Sequence, residues 1–171
     1  AEFQPSGRVD GDVQVNWQPG GELDLRIPFL KVKNAEITLQ KFPFPWYHVA
    51  AELKYERDQL ELISLSAEHD DCRLRGEGRG QFSADRPWQF QFTKFFVDDL
   101  PTSPALRRAL PDDLRAIVDA MQPTGTLSLQ GPMTFFGPSR LRDSVAIEWK
   151  TAVLLSGSQL TLGQRMENLH G

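Results

Sequence analysis

The chain has 171 residues, 40% of them hydrophobic and 25% charged, and a formal net charge of −4. This length suits a single domain with a core of its own. Because acidic residues (23) outnumber basic ones (19), the dense basic face that nucleic-acid binding needs is excluded. The only cysteine is Cys72, which excludes an internal disulfide and a zinc site built from thiolates.

Alternating apolar and polar residues predict β-strands with one apolar face along the first half of the chain. In the segment after Trp46, Tyr47 and Val49 are predicted to share that face. Pro43 and Pro45 predict an irregular stretch at 42–46, because proline removes a donor from the ladder. Turns are predicted at stretches such as "PGG" and "EHDD". The predicted strands are 8–17, 22–29, 34–40, 47–55, 59–67, 72–82 and 88–93.

The apolar spacing changes to three and four residues between Ser103 and Met121, which predicts helix. Pro104 and Pro111 each suit the first turn of a helix. The sequence therefore predicts a short helix, a break near Leu110, and a second helix that ends at about Met121. The apolar stripe consists of Leu106, Leu110, Leu114, Ile117, Val118 and Met121.

Strands resume after the helices, at Leu127 and Leu129, at 145–155, and at Leu160 and Leu162, while the tail after 162 is left unassigned. Short connections between successive strands favour an antiparallel meander. Several strands are predicted to have 9 to 12 residues, or about 30 to 40 Å. The predicted fold is mainly β: a curved antiparallel sheet, forming a gutter or partial barrel, with one short amphipathic helical pair near residues 103–121.

The segment Gln-Pro-Ser-Gly at 4–7 is echoed by Gln-Pro-Thr-Gly at 122–125. An alternating strand follows each copy, and "NAEITL" (34–39) has a counterpart in "GSQLTL" (157–162). The echo predicts a repeat of about 118 residues, with one unit at 4–121 and the start of the next at 122–171, so the chain is expected to be a fragment of a longer repeat protein. Coincidence is the alternative, because Pro-Ser/Thr-Gly is common turn chemistry.

The runs "VAAELKYERDQLELISLSAEHDDCRLRGEGRGQF" and "WQFQFTKFFVDDLPTSPALRRALPDDLRAIVDAMQPTGTLSLQG" resemble the AsmA-like, TamB-related family of bacterial envelope proteins. The similar features are an L-x-L-x-x-L strand, an L-x-G-x-G strand, a short helix with Leu-Pro-x-x-Leu, and P-x-G opening the next strand. They cover residues 47–131. The resemblance implies a long curved β-gutter whose apolar inner face carries phospholipid acyl chains between membranes.

The apolar face of the predicted sheet needs a cover, and a stripe of six apolar helical residues is too small for ten strands. Either the sheet curls onto itself or a ligand tail fills the gap. The predicted lipid-facing residues, from alternation alone, are Val13, Val15, Leu25, Ile27, Val49, Leu53, Leu74, Phe90 and Phe92.

Glycines at 76, 78 and 80 alternate with polar residues inside a strand, so they do not suit a phosphate loop. They predict a bend, or a place where an acyl chain or a bulky side chain such as Trp88 packs on bare backbone. Cys72, on the apolar face, is expected to be a small buried hydrophobe.

Three other stretches have simple structural interpretations. "EHDD" (68–71) joins a histidine to carboxylates, but turn chemistry explains it better than a metal site. The row of Arg73, Arg75 and Arg79 is expected to lie on a solvated face, with lipid headgroups as the alternative partner. "PFPWY" (43–47) is expected to plug the core, with a rim at a strand entrance as the alternative.

The predicted function is therefore non-enzymatic: an envelope-protein segment that binds or conducts phospholipid along an apolar β-groove. No catalytic residue, metal or cofactor is expected, because no positioned nucleophile, carboxylate pair or metal set stands out. The resemblance implies a periplasmic location, a role in outer membrane biogenesis, neighbouring repeat units as partners, and membrane association through other parts of the protein. The alternative is a structural or protein-interaction domain with a dry core and no lipid.

Overall fold

A computed structural model describes residues 6–17, 20, 24–39, 42–82, 87–110, 112–137, 146–150, 152–161 and 165–169. The described chain is mainly β. The strands are β1 (Ser6–Asn16), β2 (Asp24–Leu39), β3 (Phe42–Glu56), β4 (Gln59–His69), β5 (Cys72–Gln81), β6 (Trp88–Pro101), β7 (Thr124–Gln130), β8 (Met133–Gly137), β9 (Ala146–Trp149), β10 (Ala152–Thr161) and β11 (Arg165–Leu169). The helices α1 (Pro104–Ala109) and α2 (Asp112–Met121) lie between β6 and β7.

The strands form one antiparallel sheet in the order β1-β2-β3-β4-β5-β6-β7-β10-β11, and β8 pairs with β6 and β9. β7 and β8 lie end to end along one edge of β6, and between them the Gly131 N–H donates to the Phe95 carbonyl at 3.1 Å. β9 and β10 follow each other in the same way, with the Lys150 N–H donating to the Pro132 carbonyl at 3.2 Å. The described sheet is thus an open antiparallel meander, and the predicted fold class is confirmed.

Bulges let the strands run longer than the sequence predicts. β2, β3 and β6 have 16, 15 and 14 residues, so the longest spans about 50 Å. Asn34, His48 and Asp99 have φ angles of 50°, 49° and 55° inside these strands, next to shifts in the pairing register. Each bulge adds one residue and reverses the alternation without ending the strand. The predicted separation of 22–29 from 34–40 is therefore wrong. Residues 42–46 belong to β3, so the strand begins earlier than predicted, but its pairing with β2 shifts register between Pro45 and Phe42, which agrees with the predicted irregularity.

The bulge at His48 also changes which side chains of β3 lie on the apolar face, so one prediction about that face needs correction. Because His48 is the extra residue, Trp46 and Val49 are both buried, whereas Tyr47 between them is 39% exposed. Tyr47 lies opposite Glu68 in the ladder, on the polar side of the sheet. The prediction that Tyr47 and Val49 share the apolar face is wrong, because the alternation of β3 changes between them.

The predicted helical pair is present, with its break at Leu110. The Ser103 hydroxyl accepts a hydrogen bond from the Leu106 N–H at 3.1 Å and so caps α1. At the other end of α1, the Arg115 side chain donates to the carbonyls of Arg107 and Leu110 at 3.0 and 2.8 Å. These bonds satisfy carbonyls that the end of α1 leaves without helical partners, and they fasten α2 to α1.

Several predicted positions lie outside the described residues: Gln4 and Pro5, Val145, Leu162, and the side chains of Leu114, Ile117 and Met121. The tail that the sequence left unassigned contains β11. β8 was not predicted either, because its five residues, "MTFFG", show no sustained alternation.

The buried core lies at one end of the sheet, which we call the closed end. α1 follows β6 in the chain but contacts β3, and α2 contacts β10, so the helical pair reaches across the apolar face. The sheet curves around it, because strands as far as four positions apart, β2 and β6, contribute to one cluster. The cluster consists of Ala35, Phe44, Trp46, Val49, Ala67, Cys72, Val97, Leu100, Leu106 and Ala109.

Candidate functional site

The apolar side chains of neighbouring strands lie opposite one another and form continuous rows, since opposite residues in an antiparallel ladder point to the same face. One row consists of Ile27, Tyr55, Leu60, Gly80, Phe90 and Phe135. The next consists of Leu30, Leu53, Leu62, Gly78, Phe92 and Met133. These two rows form what we call the open end, and they make one apolar face from β2 to β8.

At the closed end, Phe44 fills the space beneath α1. Its side chain has no exposed surface, and its ring lies 5.4 Å from Trp46, edge to face, and 3.9 Å from the His69 ring. The Nδ1–H of His69 donates to the Pro45 carbonyl at 2.7 Å, because a carbonyl oxygen can only accept. The aromatic stretch at 43–47 therefore plugs the core, and His69 of the "EHDD" turn is part of that plug.

Cys72 is fully buried in the same cluster. Burial raises the pKa of its thiol from 9.0 to about 12, and the carboxylates of Asp99 and Asp98 add to the shift because they repel a thiolate. Since the thiolate is the reactive form, the surroundings of Cys72 suppress its nucleophilicity. The raised pKa of the thiol also disfavours a catalytic or metal-binding role, because both roles need the thiolate.

We expect the Cys72 thiol in the native protein to react with a neutral disulfide reagent at pH 8 at least ~100-fold more slowly than in the urea-unfolded chain. Stability should also decrease as the pH rises from 9 to 12, because only the unfolded chain loses the thiol proton in that range. Colour release by the reagent measures the first effect. Rapid labelling of the folded protein would contradict the buried environment.

The open end lies outside the cluster that α1 covers. Its residues Ile27, Leu53, Leu60, Phe90 and Phe92 are half-buried, and none of them belongs to the cluster around α1. Among the side chains that the structure describes, those of α1 pack in the closed end, and the aromatic rings of β6 and β8 provide part of the surface at the open end. Within the described residues, the apolar face therefore extends past the cluster around α1.

The aromatic rings of β6 pack on glycines of β5. A Cβ atom added at Gly78 would stand 2.7 Å from the Phe90 ring and 2.7 Å from the Gln91 carbonyl oxygen, and one added at Gly76 would stand 3.0 Å from the Phe92 ring. Phe90 and Phe92 are in contact themselves, with ring centroids 4.9 Å apart. The glycines thus make room for rings, as predicted in general terms.

Trp88, which the sequence suggested as an example of a ring that packs on these glycines, does not cover them. Trp88 packs over Gly137 of β8, directly opposite in the ladder, and stacks on Phe82 with centroids 5.5 Å apart. Since Trp88 is opposite Gly137 and two positions away from Phe90, its ring lies at the outer margin of the open end. The glycines of β5 are covered by Phe82, Phe90 and Phe92 instead.

The nine predicted lipid-facing residues occupy three environments. Val13 and Val15 are exposed on the edge strand β1, whereas Val49 is buried in the closed end and Leu74 packs against it. The half-buried residues are Leu25, Ile27, Leu53, Phe90 and Phe92. Sequence reasoning missed Leu60 and Leu62, although the L-x-L pattern of β4 marks them, and it missed Met133 and Phe135 with β8.

The polar face carries ion pairs between neighbouring strands. Arg75 pairs with Asp98 at 2.7 Å and also lies 5.6 Å from the Phe96 ring centre, and Lys94 pairs with Glu77 at 2.9 Å. Exposed pairs of this kind contribute little to stability. A depression of about 760 Å³ also lies on this face, but its lining is mostly amide and charged groups, which do not suit an acyl chain. Its polar lining includes Gln59, Glu61, Glu77, Arg79, Gln81, Gln89 and Gln91.

Within the described ranges, no three His, Cys, Asp or Glu side chains lie close enough to hold a metal ion. Neither described helix has the length and apolar character needed to cross a membrane. Comparison with protein-family models, curated proteins and solved structures finds no match to this chain. The fold and site define a class by geometry alone: an open antiparallel gutter whose apolar face is plugged at one end by a helical pair.

Proposed function

We propose that this chain is a non-enzymatic segment of an AsmA-like bacterial envelope protein that binds or conducts phospholipid along its apolar β-groove. The proposal places the protein in the periplasm, with its membrane association in other parts of the parent protein. The observation that supports it most is that, within the described residues, the apolar face extends beyond the cluster around α1. A sheet face that is apolar and only half-buried is unfavourable in water unless something covers it.

An acyl chain has the properties that such a cover needs. It is flexible enough to follow a curved surface, and each buried methylene group contributes about 0.8 kcal/mol. The half-buried rows at the open end offer aliphatic side chains from β2 to β4 and aromatic rings from β6 and β8. The headgroup would remain in water, so selectivity among headgroups should be weak. Phe44 and Leu106 fill the closed end and set the limit of chain insertion there.

A paired substitution on β4 tests this function. Leu60→Glu places a charge in the apolar row, and we expect it to reduce co-purifying phospholipid at least about tenfold, because burying an unpaired carboxylate beside an acyl chain is costly. Gln59→Glu introduces the same charge on the opposite face of the same strand and should leave the lipid content unchanged. Native mass spectrometry and lipid extraction of protein expressed in bacteria provide the measurement.

Circular dichroism serves as the control that both variants keep the β-sheet. The unaltered chain purified free of phospholipid, or equal lipid in the Leu60→Glu and Gln59→Glu variants, would contradict the proposal. In that event the alternative, a structural domain with a dry core, is favoured by the closed end, where Phe44, Cys72 and Leu106 are buried by other side chains of the protein.

A further inference from the structure

β1 is an edge strand whose apolar face is strongly exposed. Among the described strands it pairs with β2 alone, and Val9, Val15 and Trp17 expose 60%, 57% and 64% of their surface. Val9 and Val15 nevertheless lie opposite Val32 and Leu25, so the strand belongs to the apolar face of the gutter. An unpaired edge with apolar side chains on one face is a template for strand addition.

β7 and β8 form a similar segment within this protein, and that segment has a neighbouring strand on each side. Residues 124–135, which contain β7 and the first part of β8, correspond to residues 6–17, which contain β1 and Trp17, at the offset of 118 that the two Gln-Pro motifs define. At this offset three apolar pairs coincide: Val9 matches Leu127, Val15 matches Met133, and Trp17 matches Phe135. The other two apolar positions, Leu129 and Val13, match the glycines Gly11 and Gly131. The matching residues of β7 and β8 are half-buried, whereas those of β1 are exposed.

The backbone irregularities of the two segments also coincide. Gly7 and Gly125 both have positive φ, 141° and 88°. Gly7 lies where the pairing of β1 with β2 shifts register, and Gly125 lies where the pairing of β7 with β10 does. A second shift lies between Asp12 and Gln14 of β1, and the interruption between β7 and β8 falls at the matching positions, 131–132. The correspondence therefore extends from side-chain pattern to backbone geometry.

The segment of β7 and β8 differs from β1 in the strands that flank it. β7 and β8 are flanked by β6, which places Leu100 opposite Leu127, Phe92 opposite Met133 and Phe90 opposite Phe135. The matching side of β1 has no strand among the described residues. The larger exposure of Val9, Val15 and Trp17 thus coincides with the lack of a neighbour like β6.

We propose that the free edge of β1 is a docking surface for an antiparallel strand of the β6 type, supplied by a preceding unit of the same protein. That strand would place large apolar side chains beside Val9, Val15 and Trp17 in the register that β6 has with β7 and β8. It would also pair the free backbone groups of β1 and extend the apolar face by one strand. The proposal concerns the sheet edge alone, so it holds whether or not the groove carries lipid.

The test replaces residues 1–3 by a second copy of residues 88–121, so that Met121 of the copy is joined to Gln4 in the way Met121 is joined to Gln122. Hydrogen–deuterium exchange, read by mass spectrometry on the peptide covering 6–17, is compared with the unextended chain. We expect exchange in β1 to slow at least tenfold, because the added strand satisfies its outward N–H groups. The exchange of β7 provides the reference for a strand with two neighbours.

Two controls make the result specific. An added copy in which Trp88, Phe90, Phe92 and Leu100 are replaced by serine should give no protection. In the extended chain, Val15→Lys should abolish the protection, whereas Asn16→Lys on the opposite face should keep it.

Unchanged exchange in β1, with β2 to β6 still protected, would overturn the proposal, as would protection that appears at β11 instead. If the extension lowers protection throughout the sheet, a synthetic peptide of residues 88–101 added to the unextended chain decides the question by the same measurement. Slower exchange of β1 with this peptide, and not with its serine version, supports the docking edge, and no change overturns it.

Discussion

Replacing Phe44 by alanine is expected to lower the free energy of unfolding by about 3–5 kcal/mol, the largest single effect we anticipate. Phe44 has no exposed surface, and its ring packs against Trp46 and His69 beneath α1. Alanine would leave a cavity between the sheet and the helical pair that rigid strands cannot collapse to fill. Urea denaturation followed by circular dichroism provides the measurement.

Tyr47→Ala is the matched control, three residues away in the same strand. The bulge at His48 turns Tyr47 to the polar side, where it is 39% exposed and its ring stacks on His69 with centroids 6.0 Å apart. Because Tyr47 does not belong to the buried cluster, its loss should cost about 1 kcal/mol or less. An equal decrease in the free energy of unfolding for Phe44→Ala and Tyr47→Ala would show that the plug does not stabilise the closed end as described.

The second large effect is expected from one methyl group at Gly78. Gly78→Ala should destabilise the protein by about 1–3 kcal/mol, because the new Cβ meets the Gln91 carbonyl oxygen of the neighbouring strand at 2.7 Å as well as the Phe90 ring. A backbone carbonyl within a ladder cannot move aside as a side chain can. β5 and β6 would have to separate or shift at this point.

Gly76→Ala provides the comparison on the same strand. Its nearest contacts are atoms of the Phe92 ring at 3.0 and 3.1 Å, and the nearest backbone atom, the Lys94 oxygen, is 3.6 Å away. Rotation of one side chain can relieve this contact, so we expect a loss under about 1 kcal/mol. Thermal unfolding of the two variants separates backbone crowding from ring crowding, and a larger loss for Gly76→Ala would contradict the packing described.

Local patterns predicted the helical pair well. Ser103, Pro104 and the three- and four-residue spacing of the apolar positions are local signals, and α1 and α2 lie within a residue or two of the predicted bounds. The strands were located by the same reasoning wherever alternation was regular, as in β4 and β5. Errors arose where one residue reversed the alternation, at Asn34 and His48 above all.

The candidate groove could be predicted only in part. Alternation placed all nine lipid-facing candidates on the apolar side, but it could not distinguish buried Val49 from half-buried Leu53 or exposed Val15. That distinction depends on which strands lie next to each residue and on where α1 crosses the sheet. Neither is encoded within a window of neighbouring residues.

Local periodicity and turn chemistry fix the strand-rich composition, the apolar face, the glycines that leave room for rings and the two helices. Only the folded sheet shows that α1 reaches β3, that Phe90 and Phe92 cover the glycines of β5, and that, among the described strands, β1 has one neighbour where β7 has two. The physical reason is that these features arise from pairing and curvature between segments far apart in the chain. Burial is a property of the assembled sheet, whereas alternation is a property of each strand.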